Sequence, residues 1–411
     1  MHKSRFDYYK DKEKIMKIAL ISVHGDPNLQ AGGKDAGGMN IYIREVVEKL
    51  SSSGVEVDVF TRDHDRKNEI EVHISKLNVK YIKAGDNSLD KIGTFNHIDE
   101  FVQGVDDYKT QNKLNYDLIF AHYWLSGAAS LRLKKIWKVP VITTFHTMQE
   151  IKQEAFPYNI DDPERQAQEK IISKESDAIV VWSEHEKNFI QTKYNVPSKN
   201  INIVPPGVDL DLFKPTDQGE AREEINIDKD LKVILFVGRL ERLKGLDTLL
   251  EALSMIDQDE INLLVVGGLY NISEVSRLKR ICNEYNLSEK VHFIGSINRN
   301  DLKYYYNSSD ICVLPSYYES FGLSALEAAA CGIPVVASKK GGLSSIVIDK
   351  KTGYLLQWRC PGPFVEKLEI LLKSKDLRKS MGMNARKHAE KLNWDVSINN
   401  LKQLFNKLTS N

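Results

Sequence analysis

Cysteine is scarce in this chain of 411 residues. Only Cys282, Cys312, Cys331 and Cys360 occur, none in a Cys-x-x-Cys pair and none with histidine at metal-ligand spacing. That argues against a disulfide framework or a thiolate metal centre. Cys312 and Cys331 lie in apolar runs and read as buried thiols, a usage that suits a reducing compartment. Excess charge is also missing: 57 Lys and Arg balance 57 Asp and Glu. Nothing in that balance points to nucleic acid or an anionic membrane as the main partner. No apolar run approaches the roughly 20 residues that cross a bilayer. The opening MHKSRFDYYKDKEK lacks the apolar stretch of a signal peptide. A soluble, cytoplasmic protein is the expectation. Neither G-x-G-x-x-G nor the P-loop pattern occurs, which weakens dinucleotide and ATP readings.

What is present is an alternation of short apolar runs with helical spacing. Hydrophobic residues make up 42 % of the chain and charged residues 28 %, enough for a core in each of two lobes. Strands are expected at 17–23, 55–60, 118–121, 139–144, 178–181 and 201–204, with helices between most of them. A second series of strands is expected at 232–237, 262–266, 291–295, 311–314 and 334–337. Such alternation implies parallel sheets covered by helices on both faces. The run Pro205-Pro206-Gly207-Val208-Asp209 reads as a hinge between the two series. The expected domains are 16–207 and 208–393. In two-lobed folds a last helix such as 394–411 often returns to the first lobe.

Three segments carry chemistry. The first, from Gly32 to Asn40, follows a strand and opens a helix. Its glycines let backbone approach a ligand, and the helix start offers free N–H groups to an anion. A plain strand-to-helix turn is the alternative. The second, Val237 to Gly245, places Arg239 and Lys244 in a glycine-bounded loop at the C-terminal end of a strand, the edge where open parallel sheets bind ligands. Two cations there could hold a diphosphate and stabilise it as a leaving group; a solvated basic turn is the bland reading. The third runs from Pro315 to Glu327. Glu319 falls in a loop, and Glu327 falls inside the next helix among apolar residues. A carboxylate in that setting needs partners. Sugar hydroxyls would serve, and so would a structural salt bridge.

Taken together, Glu319-x7-Glu327, Arg239-x4-Lys244 and the Gly37-Gly38 loop resemble the retaining glycosyltransferases of the GT-B fold. Within them the chain is similar to the branch of D-inositol-3-phosphate glycosyltransferase and sucrose-phosphate synthase, over residues 16 to 395. The fold implied is α/β, with two Rossmann-like, doubly wound domains facing across a cleft. Asp35-Ala36-Gly37-Gly38-Met39-Asn40-Ile41-Tyr42 looks like the diphosphate loop of the inositol-phosphate enzyme, with His24 eleven residues before Asp35. His122 to Gly127 and Phe145-His146-Thr147 are similar to its acceptor side. The segment Met148-Gln149-Glu150-Ile151-Lys152 departs from it, as does the tail before Met16.

The resemblance implies a donor site of His24, Gly37, Gly38, Asn40, Arg239, Lys244, Glu319, Phe321, Gly322, Leu323 and Glu327. It implies an acceptor-phosphate site of Lys91, Tyr123, Thr147 and Arg165, and catalysis by His146, Arg239, Lys244 and Glu319. The co-substrate would be a nucleotide diphosphate sugar, with uridine favoured and N-acetylglucosamine or glucose as the sugar. The acceptor would be a small phosphorylated polyol or sugar such as inositol 3-phosphate. Neither cofactor nor metal is expected, because two cations do the work of a divalent ion. A homodimer would be unsurprising.

Competing readings are a lipid-linked or glycan acceptor at a membrane surface, a sugar-nucleotide 2-epimerase, a nicotinamide oxidoreductase and a non-catalytic sugar-nucleotide-binding protein. An epimerase needs a fuller acid–base set than Glu319 and His146, and the glycine spacing is wrong for nicotinamide. The basic stretch Arg132 to Lys138, with interleaved Leu, Ile and Trp, could touch an anionic surface, but reads better as one side of a surface helix.

Overall fold

A computed structural model describes residues 15–29, 37–63, 77–156, 162–256, 260–268, 272–357 and 360–410. Most of the glycine-rich loop before Gly37, including Asp35 and Ala36, lies outside them.

Two parallel sheets dominate. The first comprises β1 (Lys17–Ile21), β2 (Glu56–Arg62), β3 (Asn78–Ile82), β4 (Leu118–His122), β5 (Val141–Thr144), β6 (Ala178–Val181) and β7 (Ile201–Ile203), in the order β3-β2-β1-β4-β5-β6-β7. The second comprises β8 (Lys232–Val237), β9 (Ile261–Val266), β10 (Val291–Gly295), β11 (Ile311–Leu314), β12 (Val335–Ser338) and β13 (Gly353–Leu356), in the order β10-β9-β8-β11-β12-β13. Every strand pair is parallel, as helical crossovers between consecutive strands require. Central strands such as β4 and β11 are buried along their whole length, which explains their unbroken apolar runs. Two strands add to those expected. Both are edges: β3 is partly exposed, and β13 has only four residues.

Each sheet reverses its winding direction once, between β1 and β4 and between β8 and β11. At such points neighbouring loops splay apart and leave a crevice at the carboxyl ends of the strands. The loops after β1, β4 and β5 therefore face those after β8 and β11.

The chain crosses between the sheets twice, and the crossings touch. Val208 bridges to Asn393, its N–H bonding Leu392 O at 2.9 Å. A Cβ on Gly207 would lie 2.2 Å from Trp394 N, so only glycine fits there. The helix Trp394–Thr409 packs on the helix Gly38–Ser52. The buried Trp394 ring meets Tyr42 at 5.8 Å, Phe405 meets Phe120 at 5.6 Å, and Lys402 donates to Ser53 O at 3.1 Å.

Candidate active site

The cleft between the sheets is a cavity of ≈ 690 Å³, and loops from both sheets line it.

On the second sheet, β8 delivers Gly238 and Arg239, and a short turn at Arg242–Lys244 delivers Lys244. The loop after β11 delivers Glu319. Lys244 Nζ lies 2.6 Å from Glu319 Oε1, and the Ser316 hydroxyl donates to the same oxygen at 3.0 Å. Two side chains set apart by 75 residues thus form one ion pair in the cleft wall. Arg239 pairs with Glu241 at 2.8 Å and reaches across the cleft, its Cδ 3.7 Å from where a Cβ on Gly37 would stand. Gly38 faces Leu323 in the same way, at 3.6 Å. These are ordinary contacts, so packing among the described residues does not demand glycine at 37 or 38. Gly322 differs. Its φ of +101° starts the helix Leu323–Ala330, and a Cβ there would lie 2.7 Å from Leu343.

Glu327, in the second turn of that helix, is buried. Its Oε1 pairs with Arg299 at 2.9 Å, and its Oε2 accepts from the Tyr306 hydroxyl at 2.9 Å. Burial raises its pKa, and Arg299 pulls it back. The structural salt bridge is therefore present, while the residue still lines the cleft. Arg299 also approaches Glu45 of the first sheet at 3.4 Å. It went unread in the sequence, although it lies just past β10, on the same strand edge as Arg239.

On the first sheet, Tyr123 follows β4 with φ +78°, and His146 follows β5 with φ +61°. Non-glycine residues held there are strained, and such strain gathers at functional sites. His146 Nε2 lies 2.9 Å from His122 Nδ1, while its Nδ1 has no hydrogen-bond partner among the described residues. Burial, with His122 and His24 nearby, holds His146 well below the usual histidine range, so the ring is neutral. The Thr147 hydroxyl is likewise buried without a partner among the described residues. The His24 ring lies 4.3 Å from that of Tyr123, tilted by 43°.

The cations of this wall converge on one ring. Lys91 Nζ lies 5.8 Å and Arg165 Cζ 4.8 Å from the centre of Tyr123. Arg165 does not reach the cleft surface with the others. Its Nε pairs with Glu169 at 2.7 Å and its Nη2 donates to Thr147 O at 2.9 Å, so it stands behind the wall and fixes it. Asn40 is also spent on the fold: its amide caps Gly37 N at 3.1 Å and donates to Asp26 O at 2.7 Å.

The residue that sequence reading set aside is Lys152. It lines the cleft. Burial, Arg165 and Arg239, and more distantly Lys91, push its pKa down to about 7. Lys91, Lys152 and Arg239 thus line the cleft, with Arg165 behind them, in a chain of zero net charge. Among the described residues, no cluster of three or more His, Cys, Asp or Glu could hold a metal ion.

Two winding-reversal crevices facing each other, one carrying cations and a buried carboxylate, define a two-domain transferase of the GT-B architecture. Comparison with known proteins agrees. Residues 217–388 match the family of glycosyl transferases group 1, and residues 36–212 match glycosyltransferase family 4. The D-inositol 3-phosphate glycosyltransferase of Corynebacterium jeikeium is 36 % identical over 406 residues, covering 96 % of this chain and 97 % of its own. D-inositol 3-phosphate glycosyltransferase 2 of Catenulispora acidiphila is 34 % identical over 395 residues, covering 93 % and 92 %. The solved sucrose-phosphate synthase of Thermosynechococcus elongatus superposes with a TM-score of 0.89 at 33 % identity, covering 96 % and 99 %. The chain belongs to the group 1 glycosyltransferases of the GT-B fold. It is an enzyme that transfers a sugar.

Proposed function

We propose that this enzyme retains anomeric configuration while moving a hexose or N-acetylhexosamine from a nucleotide diphosphate sugar to a hydroxyl of a small phosphorylated polyol or sugar. UDP-N-acetylglucosamine or UDP-glucose is the favoured donor, and inositol 3-phosphate exemplifies the acceptor. One observation carries the acceptor reading: Lys152 lines the cleft beside Lys91 and Arg239, with Arg165 behind, and burial together with these cations lowers its pKa to about 7, a shift that a bound anion would reverse. The kinship with the inositol-phosphate enzymes supports it.

In this reading, residues 208–393 hold the donor and 16–207 the acceptor. Arg239 and Lys244 bind the diphosphate and offset its charge as it leaves, so no metal is assigned. Lys244 sits 2.6 Å from Glu319, which keeps the leaving phosphate and the transferred sugar side by side. Glu319 and the backbone N–H groups of Phe321, Gly322 and Leu323 take the sugar hydroxyls. Glu327, oriented by Arg299, accepts from the ribose. His24, Gly37, Gly38 and Asn40 shape the diphosphate loop. Neutral His146 offers its unpaired Nδ1 to the sugar. Lys91, Tyr123, Thr147 and Lys152 take the acceptor phosphate, with Arg165 fixing Thr147 from behind. The bond from the anomeric carbon to phosphate oxygen breaks on the face where the acceptor oxygen bonds, and the acceptor proton passes to the departing phosphate. Closure of the lobes expels water and limits donor hydrolysis.

No helix among the described residues is long and apolar enough to cross a membrane, and we propose a cytoplasmic enzyme.

A donor–acceptor matrix tests this. UDP-N-acetylglucosamine, UDP-glucose and GDP-mannose are each paired with inositol 3-phosphate, inositol, fructose 6-phosphate and glycerol phosphate, reading nucleotide release and product mass. Transfer to a phosphorylated acceptor but not to its unphosphorylated form supports the proposal. Activity only with lipid extract overturns the acceptor assignment.

A further inference from the structure

Glu186 does not line the cleft, yet it joins both walls. It lies in the first turn of the helix Glu184–Lys193 and is only 6 % exposed. Its Oε2 accepts from Trp182 N–H at 2.9 Å, within its own lobe. Its Oε1 accepts from the Tyr318 hydroxyl of the other lobe at 3.3 Å, and the Ser320 hydroxyl bonds the same carboxylate. Tyr318 and Ser320 flank Glu319 in the loop after β11. Trp182, whose backbone Glu186 holds, meets His146 edge-on at 4.9 Å and Phe321 at 6.4 Å. A buried carboxylate is costly unless donors surround it. Here three donors do, and they come from both lobes.

We propose that Glu186 is a positioning residue that sets the Glu319-bearing loop of the second lobe against His146 of the first and holds the lobes in register during transfer. This rests on the reading that the Glu319 loop and His146 share the transferred sugar.

Burial raises the Glu186 carboxyl to about 7, against 4.5 for an ordinary glutamate. The groups bonded to it are Trp182 N–H, Tyr318 and Ser320; Glu319 acts on Tyr318, His185 meets the Tyr318 ring at 5.9 Å, and His146 meets Trp182. The Tyr318 phenol is pushed up by burial, then by Glu186 and Glu319, and remains a donor. Burial lowers the His185 pKa, with Glu154 opposing and Lys340 adding to the shift. Closing therefore takes up a proton between pH 4.5 and about 7. The latch is strongest at the acid end and weakens as pH rises through that window.

Two variants separate the roles. Glu186→Gln keeps an oxygen for Trp182 N–H and gains an amide donor for the Tyr318 oxygen, but cannot ionise. Glu186→Ala removes both links. Kinetics with UDP-N-acetylglucosamine and inositol 3-phosphate give kcat and KM across pH, and small-angle scattering gives the radius of gyration without substrate. We expect Glu186→Ala to lower kcat roughly 10- to 100-fold, the size of losing the two hydrogen bonds from Tyr318 and Ser320, with donor KM moving far less. Its radius should increase. Glu186→Gln should stay near wild-type activity, without the wild-type expansion as pH rises toward 7. Unchanged kcat and radius in Glu186→Ala, or a wild-type pH response in Glu186→Gln, overturns the proposal. If no donor–acceptor pair turns over, the transfer reading fails, and the scattering still decides whether Glu186 latches the lobes.

Discussion

Lys244 and Glu319, from opposite sides of the winding reversal in the second sheet, meet at 2.6 Å in the cleft wall. Each is the other's nearest counter-charge, so neither acts alone. Lys244→Ala and Glu319→Ala should each lower kcat about 10²- to 10³-fold, and the double variant should lose far less than the product. Steady-state kinetics on all three variants checks this. Full additivity would show that the pair is not a unit.

If an anion binds beside Lys152, its binding should be linked to protons. Its pKa is lowered from 10.5 to about 7, so between those values the empty enzyme is short of a proton that an anion would restore. The sign follows: its destabilising effect is present below about pH 7 and is relieved as pH rises toward 10.5. Pyrophosphate binding should take up a proton above about pH 7 and weaken as pH rises through the same window. Calorimetry in buffers of differing ionisation heat reads the uptake, which Lys152→Met should abolish.

Removing Arg299 strands a buried carboxylate. Arg299→Ala leaves Glu327 with only the Tyr306 hydroxyl and should destabilise the fold by about 3 kcal/mol. Tyr306→Phe should cost about 1 kcal/mol. Denaturant midpoints check both values.

Glycines 37 and 322 should respond oppositely. Among the described residues a Cβ at Gly37 meets nothing closer than 3.7 Å, so Gly37→Ala should leave the thermal midpoint unchanged while weakening UDP binding. Gly322 has φ +101° and a 2.7 Å clash with Leu343, so Gly322→Ala should lower the midpoint, at a cost of about 1–3 kcal/mol. A melting curve and a UDP titration separate the two.

Much of this molecule is legible in the order of its residues. Unbroken apolar runs such as Ile311–Leu314 mark strands buried on both faces, because parallel sheets covered by helices leave no polar side. Edge strands β3 and β13 escaped because β3 is half-exposed with a lysine at its centre and β13 opens on glycine, so neither carries such a run. Arg239, Lys244 and Glu319 stand out because local spacing places them on loops at strand ends.

Only tertiary structure decided what each charge faces. Lys244 on Glu319, Arg299 on Glu327 and Glu186 under Tyr318 depend on which strands lie side by side and how two lobes meet. The same is true of Lys152, an ordinary helix lysine until burial and three neighbouring cations change its proton affinity. The physical reason is range. Hydrophobic periodicity acts over a few residues and is written in the chain, whereas the pairing of charges acts over a few ångströms and appears only when distant segments are brought together.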